Sequence, residues 1–242
     1  MTGVILAYDS SEFKEKGVAL LKAVHPYIDL VKLGLQAMTA ETLYGITTVA
    51  IEARTHAWRH GKKTMLDLKI NDIGNTVSKT LANIVAMQPP IAMTTLHATV
   101  SDSALRAAAK ACGENVLPLA VTVLTDLSEE ECVSRFGDKP NETVLRFAKN
   151  ARRQGIRGLV CSAQELSYLR RHGALEGITT VIPGTRSEGV TKHDQMRVMT
   201  PAEAAKAGAD YVVIGREITE APDPGAAAKR IRDALDEVGA AV

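Results

Sequence analysis

Residues 64–72 read Thr64-Met65-Leu66-Asp67-Leu68-Lys69-Ile70-Asn71-Asp72, an apolar run that ends in charged residues. An apolar run of this length is typical of a strand buried on both faces. Successive side chains of a strand point to opposite faces, so Asp67 and Lys69 share one face while Leu66 and Leu68 share the other. The stretch therefore predicts a buried strand whose carboxyl end presents two opposite charges on the same side.

Seven similar runs surround this one and give eight predicted strands, at 4–8, 28–33, 64–68, 91–96, 116–124, 158–161, 179–182 and 211–214. Helical spacing predicts eight helices, at 12–24, 40–60, 75–87, 103–111, 142–154, 163–171, 201–207 and 224–238. Apolar strands that alternate with helices indicate a parallel sheet covered by helices, and eight such units close into a (β/α)8 TIM barrel. An open doubly wound sheet is disfavoured because no G-x-G-x-x-G follows the first strand. We expect one barrel domain over residues 1–242.

Composition excludes several classes of protein. The 29 basic and 28 acidic residues nearly cancel, so neither nucleic acid nor an anionic membrane is expected as a partner. Cys112, Cys132 and Cys161 have no metal-ligand or disulfide spacing, which predicts no zinc site and fits a reducing cytoplasm. No apolar stretch reaches the roughly 18 residues that span a bilayer, and no secretory signal precedes the first strand. A soluble cytoplasmic protein is expected.

Charged residues at strand ends are the candidates for chemistry, because the active site of this fold lies at the carboxyl ends of the strands. Lys32 lies on the second strand, Asp67 and Lys69 end the third, and Asp72 follows in a turn, where it would meet the same site or reach across a subunit boundary. A structural salt bridge is the alternative. Two lysines and two aspartates are costly to bury, however, and suggest a site for a charged substrate and for carbanion or carboxylate chemistry.

The loops after the seventh and eighth strands predict a phosphate site, as is frequent in barrels. Gly215 lets the backbone approach an anion, a short helix beginning near Arg216 would point N–H groups at it, and the Arg216 guanidinium would bind two phosphate oxygens. The alternative is that the glycines only turn the chain and that the arginine is solvated. Residues 187–195 are long and polar enough for a lid, with Gln195 as a phosphate contact.

The combined motifs resemble one family. Asp67-x-Lys69-x-x-Asp72-Ile73-x-Asn75-Thr76 is preceded by Lys32 and followed by Pro183-Gly184-x-Arg186, Asp194-Gln195 and Gly215-Arg216. In this order they resemble orotidine 5'-phosphate decarboxylase, from Asp9 after the first strand to Arg216 after the eighth. The resemblance implies cofactor-independent decarboxylation of orotidine 5'-phosphate to uridine 5'-phosphate, the last step of pyrimidine nucleotide synthesis, by a homodimer with shared active sites and no bound metal.

The resemblance also implies roles for individual residues. Lys69 would protonate C6 of the pyrimidine as carbon dioxide leaves, Asp67 would lie near the substrate carboxylate, and Lys32 would hold Asp67 and the ribose. The remaining implied substrate contacts are Asp9 at the ribose hydroxyls, Thr125 at the pyrimidine, Pro183 at the ring, and Gln195, Gly215, Arg216 and Arg186 at the phosphate. Three residues would be contributed by the neighbouring subunit, namely Asp72, Ile73 and Thr76.

Two departures from the family pattern and two other functions are relevant. Gly74 stands where the family more often has proline, which would loosen the turn presenting Asp72 and Ile73. His97 is not followed by the usual glycines, so we expect it to be structural or dimer-facing. A magnesium-dependent sugar-phosphate decarboxylase or synthase of the same superfamily would carry an acidic ligand where Lys32 stands. A non-catalytic nucleotide-binding barrel would lack part of the Lys/Asp set.

Overall fold

The structure is a computed structural model that describes residues 1–10, 14–39, 48–187 and 199–240. The strands are β1 Gly3–Tyr8, β2 Leu30–Gly34, β3 Lys63–Ile70, β4 Ile91–His97, β5 Leu117–Val121, β6 Gly158–Val160, β7 Thr179–Ile182 and β8 Tyr211–Ile214. Within these ranges the eight strands are parallel and close in chain order, with β8 paired to β1. The predicted (β/α)8 TIM barrel is confirmed.

The helices in the described ranges are α1 Lys14–Val24, α2 Leu35–Met38, α3 Thr48–Arg59, α4 Gly74–Val85, α5 Asp102–Cys112, α6 Glu129–Phe136, α7 Pro140–Arg153, α8 Ala163–Arg171, α9 Pro201–Lys206, α10 Arg216–Thr219 and α11 Pro224–Ala240. A short 3-10 helix covers His25–Tyr27. None of these helices is long and apolar enough to cross a bilayer.

Local sequence signals explain where several helices begin. The side chains of Ser128, Ser162 and Thr200 cap α6, α8 and α9, and each cap is completed by a glutamate three residues later. Pro140 is the first residue of α7, a position where its missing N–H and fixed φ are favourable. The helix predicted at 142–154 therefore begins two residues earlier than expected.

The structure corrects other boundaries. Helix α6 was not predicted, although the Ser128-x-x-Glu131 capping box announces it. The predicted strand at 116–124 ends at Val121, and the one at 28–33 begins only at Leu30. The first residues of the helices predicted at 12–24 and 40–60 lie outside the described residues, as do most of the predicted lid and Gln195.

Apolar side chains pack on both faces of the strands. One cluster packs between strands and helices, and a smaller one fills the barrel interior, with Ile5, Leu30, Met65 and Met93 among its members. Because side chains alternate along a strand, the inner residues two positions further on lie one layer higher, towards the carboxyl ends. The apolar interior cluster therefore forms the floor on which the next inner layer stands.

Candidate active site

A cavity of about 680 Å³ opens at the carboxyl ends of the strands, where barrel enzymes place their active sites. This volume falls within the range of small-molecule sites. Nine of the predicted site residues line it: Asp9, Lys32, Asp67, Lys69, Thr125, Pro183, Arg186, Gly215 and Arg216. The fold thus brings residues from both ends of the sequence to a single cavity.

A row of alternating charges lies at one side of this cavity. Lys32 Nζ is 3.0 Å from Asp9 Oδ1 and 3.2 Å from Asp67 Oδ2, and Lys69 Nζ is 2.9 Å from the same Asp67 oxygen. Lys32 and Asp67 stand one layer above Leu30 and Met65, so the apolar floor excludes water from below them. We call Asp9, Lys32, Asp67 and Lys69 the charged array.

Burial within the array is uneven. The side chains of Lys32 and Asp67 are only 10% and 12% exposed, whereas that of Lys69 is 35% exposed. Burial raises the pKa of Asp67, but the charges of Lys32 and Lys69, with hydrogen bonds from Lys69 and Thr95, outweigh it and hold that pKa below its usual value. Asp67 is therefore ionised at neutral pH, and the Lys69 ammonium is the more accessible of the two cations.

The backbone at Lys69 departs from a regular strand. Its φ is +48°, in the left-handed region that a side chain with a Cβ rarely occupies, at a cost on the order of 1–3 kcal/mol. The pairing between β3 and β4 shifts register between Leu66 and Ile70 around this residue. The prediction that Asp67 and Lys69 point the same way is confirmed by their ion pair, but alternation alone does not predict this strained backbone.

Thr95 on β4 was missed by the sequence reasoning. It is fully buried, accepts a hydrogen bond from the Lys69 N–H at 2.9 Å and donates one to Asp67 Oδ1 at 2.9 Å. A signal was available, since Thr95 follows the interior residue Met93 by two positions just as Asp67 follows Met65. It therefore belongs to the same inner layer as Lys32 and Asp67.

Two arginines from the loops after β7 and β8 also line the cavity. Gly184, with φ +75°, turns the chain after β7 and leads to Arg186, which is buried and donates to the Thr185 carbonyl oxygen at 2.7 Å. Gly215 precedes the short helix α10, which begins at Arg216 as predicted. An anion placed here would face two guanidinium groups and a backbone without a Cβ in the way.

The loops after β7 and β8 are joined to each other. The Ser187 N–H donates to Glu217 Oε2 at 3.1 Å, which ties the end of the first loop to helix α10. The predicted lid begins at this residue, so its first position is fixed relative to Arg216. Sequence reasoning did not identify Glu217, since no spacing rule relates it to Ser187.

Apolar side chains and two predicted ring contacts lie between the charged array and the arginines. Val121, Val160 and Val181 line this part of the cavity, together with Thr125 and Pro183. A flat ring would find apolar walls here and one hydroxyl for a hydrogen bond. The arrangement suits an uncharged ring that carries its reacting atom towards Lys69 and an anionic tail towards Arg216.

The three residues assigned to a neighbouring subunit do not line this cavity. Asp72 Oδ1 accepts a hydrogen bond from the Ile73 N–H at 2.7 Å, and Ile73 is 69% exposed although it is apolar. Thr76 follows them in the sequence, in the first turn of α4. Whether they complete a partner's site stays a prediction, and Gln195 lies outside the described residues.

Neither His97 nor a metal cluster contributes to the cavity in the part of the chain that the structure describes. His97 does not line the cavity; burial lowers its pKa, as does the Lys69 charge, while Asp67 opposes them. No group of three or more histidine, cysteine or acidic side chains there could hold a metal ion. The position between Asp9 and Asp67 is occupied by the Lys32 ammonium.

Comparison with known proteins agrees with this geometry. The family profile described as "Orotidine 5'-phosphate decarboxylase / HUMPS family" matches residues 2–231. Orotidine 5'-phosphate decarboxylase of Anaeromyxobacter sp. (strain K) is 40% identical over 216 residues, which cover 88% of this chain and 90% of that protein. The enzyme of the same name from Moorella thermoacetica is 36% identical over 245 residues, covering 97% and 92%.

A solved structure shows the same architecture. The crystal structure of orotidine 5'-phosphate decarboxylase from Lactobacillus acidophilus superposes with a TM-score of 0.75 at 28% identity, covering 98% of this chain and 100% of that one. The similarity therefore includes every strand that contributes to the cavity. On the profile match and these identities, the chain belongs to the orotidine 5'-phosphate decarboxylase / HUMPS family.

Proposed function

We propose that this protein decarboxylates orotidine 5'-phosphate to uridine 5'-phosphate, the closing step of pyrimidine nucleotide synthesis. The observation that carries the proposal is that the charged array and two arginines line the same cavity. Its close relatives carry the name of this enzyme, and their likeness extends over nearly the whole chain. The substrate needs both features, since it has a carboxylate on its ring and a phosphate at its far end.

The chemistry follows from the position of Lys69. When the bond between C6 and the carboxylate breaks, its electron pair stays on C6, and a vinylic carbanion with little delocalisation is left. A fixed ammonium beside that carbon stabilises the charge as it develops and then donates a proton to it. The products are carbon dioxide and uridine 5'-phosphate, and neutral Lys69 regains its proton from solvent. Lys69 is the accessible cation of the array and fits this role.

Asp67 acts on the group that leaves. It is ionised, and its carboxylate faces the cavity beside Lys69, where the substrate carboxylate would lie. Like charges at short range disfavour the bound substrate relative to a transition state that is losing its carboxylate. We rank the preorganised field of Lys69 and Lys32 above this ground-state effect, because fixed charges and dipoles usually lower the barrier more than any other effect. Asp9 would bind the ribose hydroxyls, and Lys32 would hold Asp9 and Asp67.

The phosphate would bind far from the reacting carbon. Arg216, Gly215 and Arg186 line that end of the cavity, and we propose Gln195 as a further contact. Thr125 and Pro183 would contact the pyrimidine ring between the two ends. Binding energy from such a remote group raises the rate when it is used to order the reacting centre. Arg216 should therefore affect turnover as well as affinity.

We propose further that the enzyme is a homodimer in which Asp72, Ile73 and Thr76 complete the partner's site. Support comes from their position outside their own cavity and from the exposure of Ile73, an apolar side chain that association would bury. A single barrel domain is proposed for the whole chain. A cytoplasmic location is also proposed, and the three unbridged cysteines fit it.

Mixed dimers test the shared site. Lys69→Ala and Asp72→Ala subunits are each expected to be inactive alone, whereas random exchange would create one intact site in every mixed dimer, about one quarter of wild-type activity. Exchange of Lys69→Ala with Asp67→Ala is the control, since both residues belong to the same subunit's site and no intact site can form. Absence of recovery in the first mixture would contradict the shared site.

The magnesium-dependent alternative is distinguished by one residue. A sugar-phosphate enzyme of this superfamily needs an acidic metal ligand on the second strand, and Lys32 there would repel a cation. A non-catalytic barrel is opposed by the complete charged array. The test is the loss of absorbance of orotidine 5'-phosphate with a chelator present. We expect undiminished turnover, while no turnover, or turnover restored only by magnesium, would overturn the proposal.

A further inference from the structure

Thr95 connects Asp67 and Lys69, two members of the charged array, without lining the cavity itself. Its hydroxyl hydrogen goes to Asp67 Oδ1, and its oxygen receives the backbone N–H of Lys69, both at 2.9 Å. Its side chain is fully buried and does not line the cavity, so it cannot touch a substrate directly. Both hydrogen-bonding capacities of one hydroxyl are thus used on two residues that face the reacting carbon.

These two hydrogen bonds hold a segment whose backbone is irregular. Lys69 has a left-handed backbone, and the register between β3 and β4 breaks around it, so the regular ladder does not hold its N–H. Thr95 supplies the acceptor for that N–H from the neighbouring strand. At the same time it fixes the Asp67 oxygen that the lysines do not contact, since both lysines contact Oδ2.

We propose that Thr95 is a positioning residue that sets the orientation of the Asp67 carboxylate and of the Lys69 ammonium relative to each other. The inference rests on the proposed decarboxylation, in which these two groups face the leaving carboxylate and C6. Without the hydroxyl, the Asp67 carboxylate can rotate about the Oδ2 atom that the two lysines hold, and the Lys69 backbone can relax from its left-handed conformation. A displacement of about 1 Å at a reacting group costs roughly 100-fold in rate.

Loss of the Thr95 hydroxyl also changes the charge state of Asp67. Lys32 contacts it from β2 and also holds Asp9, which follows β1. Lys69 lies on its own strand, and Thr95 and His97 lie on β4. The Thr95 hydrogen bond is one of the causes that lower the pKa of Asp67. Its loss raises that pKa, so the fraction of ionised Asp67 begins to fall at a higher pH than in the wild type.

Neighbouring threonines offer a matched comparison. Thr94 is also fully buried and also hydrogen-bonds to β3, but its hydroxyl donates to the Leu66 carbonyl oxygen at 3.0 Å and contacts no member of the array. Thr95→Val and Thr94→Val each replace a buried hydroxyl by a methyl group of similar size. Both should lose comparable stability, and only the first should lose rate.

We expect Thr95→Val to lower kcat on orotidine 5'-phosphate by roughly 100-fold, with the affinity for uridine 5'-phosphate changed by less than about threefold. Its acidic limb in the profile of kcat/KM against pH should lie at higher pH. Thr95→Ser, which keeps the hydroxyl, should retain most of the wild-type kcat. If Thr95→Val does not fold, Thr95→Ala replaces it and should show the same loss of roughly 100-fold in kcat. Thr94→Val should keep wild-type kcat.

Equal kcat in the two valine variants, or no recovery in Thr95→Ser, would overturn the proposal. If the wild type proves inactive on orotidine 5'-phosphate, the proposed function fails, and crystal structures of wild type and Thr95→Val then decide the inference. An unchanged Lys69 φ and an unchanged contact between Lys69 Nζ and Asp67 Oδ2 in the variant would overturn it. A relaxed backbone and a rotated carboxylate would support it.

Discussion

Gly34 at the end of β2 offers a way to disturb the charged array without touching its charges. A Cβ at this position would lie 2.7 Å from Asp9 Oδ1 and 3.1 Å from Lys32 Nζ. The backbone itself accepts alanine, because φ is −90° and ψ is −174°. Since non-bonded heavy atoms prefer about 3.5–4.0 Å, Gly34→Ala must displace the Asp9 carboxylate by roughly 1 Å.

The displacement should cost function more than stability. Asp9 is 49% exposed on its side chain and swings towards solvent cheaply, so the free energy of unfolding should change by less than about 1 kcal/mol. The charge-assisted hydrogen bond that Asp9 would make to the ribose hydroxyls of the substrate contributes about 1.5–3 kcal/mol, so its loss lowers kcat/KM by roughly 10- to 150-fold. The assays are steady-state kinetics on orotidine 5'-phosphate and urea unfolding.

Gly239→Ala is the control, because a Cβ there meets nothing within 4 Å and its helix tolerates alanine. It should keep wild-type kinetics and be slightly more stable. A kcat/KM of Gly34→Ala within twofold of the wild-type value would show that the position of the Asp9 carboxylate does not matter for the reaction. A loss of more than about 2 kcal/mol in the free energy of unfolding would show instead that Asp9 and Lys32 cannot move away from the added methyl group.

Two further predictions concern the turn before α4 and the thiols. Gly74→Pro should raise the free energy of unfolding by about 0.4–1 kcal/mol, because Gly74 is the first residue of α4 and Ile73 before it is already extended at ψ 155°. Urea unfolding at fixed protein concentration measures this change. Destabilisation would show that the backbone there does not suit proline. A thiol reagent should not react with Cys112 or Cys132 before unfolding, because both are buried away from the cavity and burial raises the pKa of Cys112 to about 11. Rapid labelling of either cysteine in the native protein, measured by mass, would contradict this.

The sequence was enough to predict the barrel because its signals are repeated. Eight apolar runs with helices between them leave few topologies, and the strands at Thr179–Ile182 and Tyr211–Ile214 were predicted to the residue. Predicted element boundaries were wrong where local capping and turn residues compete with the apolar pattern. Helix α6 has a low share of apolar residues, so periodicity missed it although its capping box was visible.

The site was predictable as far as charge and position reveal it. Lys32, Asp67 and Lys69 stand out because charges at the ends of apolar strands need an explanation. Thr95 does not stand out, because a threonine in a strand is ordinary, and its role depends on a left-handed Lys69 that no alternation rule predicts. Gly34 is likewise invisible without the distances to its neighbours.

The positive charge of Lys69 is the feature on which the proposed decarboxylation depends, and two lysine variants test it. Lys69→Ala and Lys63→Ala remove lysines from the two ends of the same strand, and Lys63 is exposed at the end far from the cavity. Turnover of orotidine 5'-phosphate and calorimetric binding of uridine 5'-phosphate are measured for both variants. We expect no detectable turnover but measurable product binding for Lys69→Ala, and wild-type values for Lys63→Ala. Near-normal turnover by Lys69→Ala would contradict it.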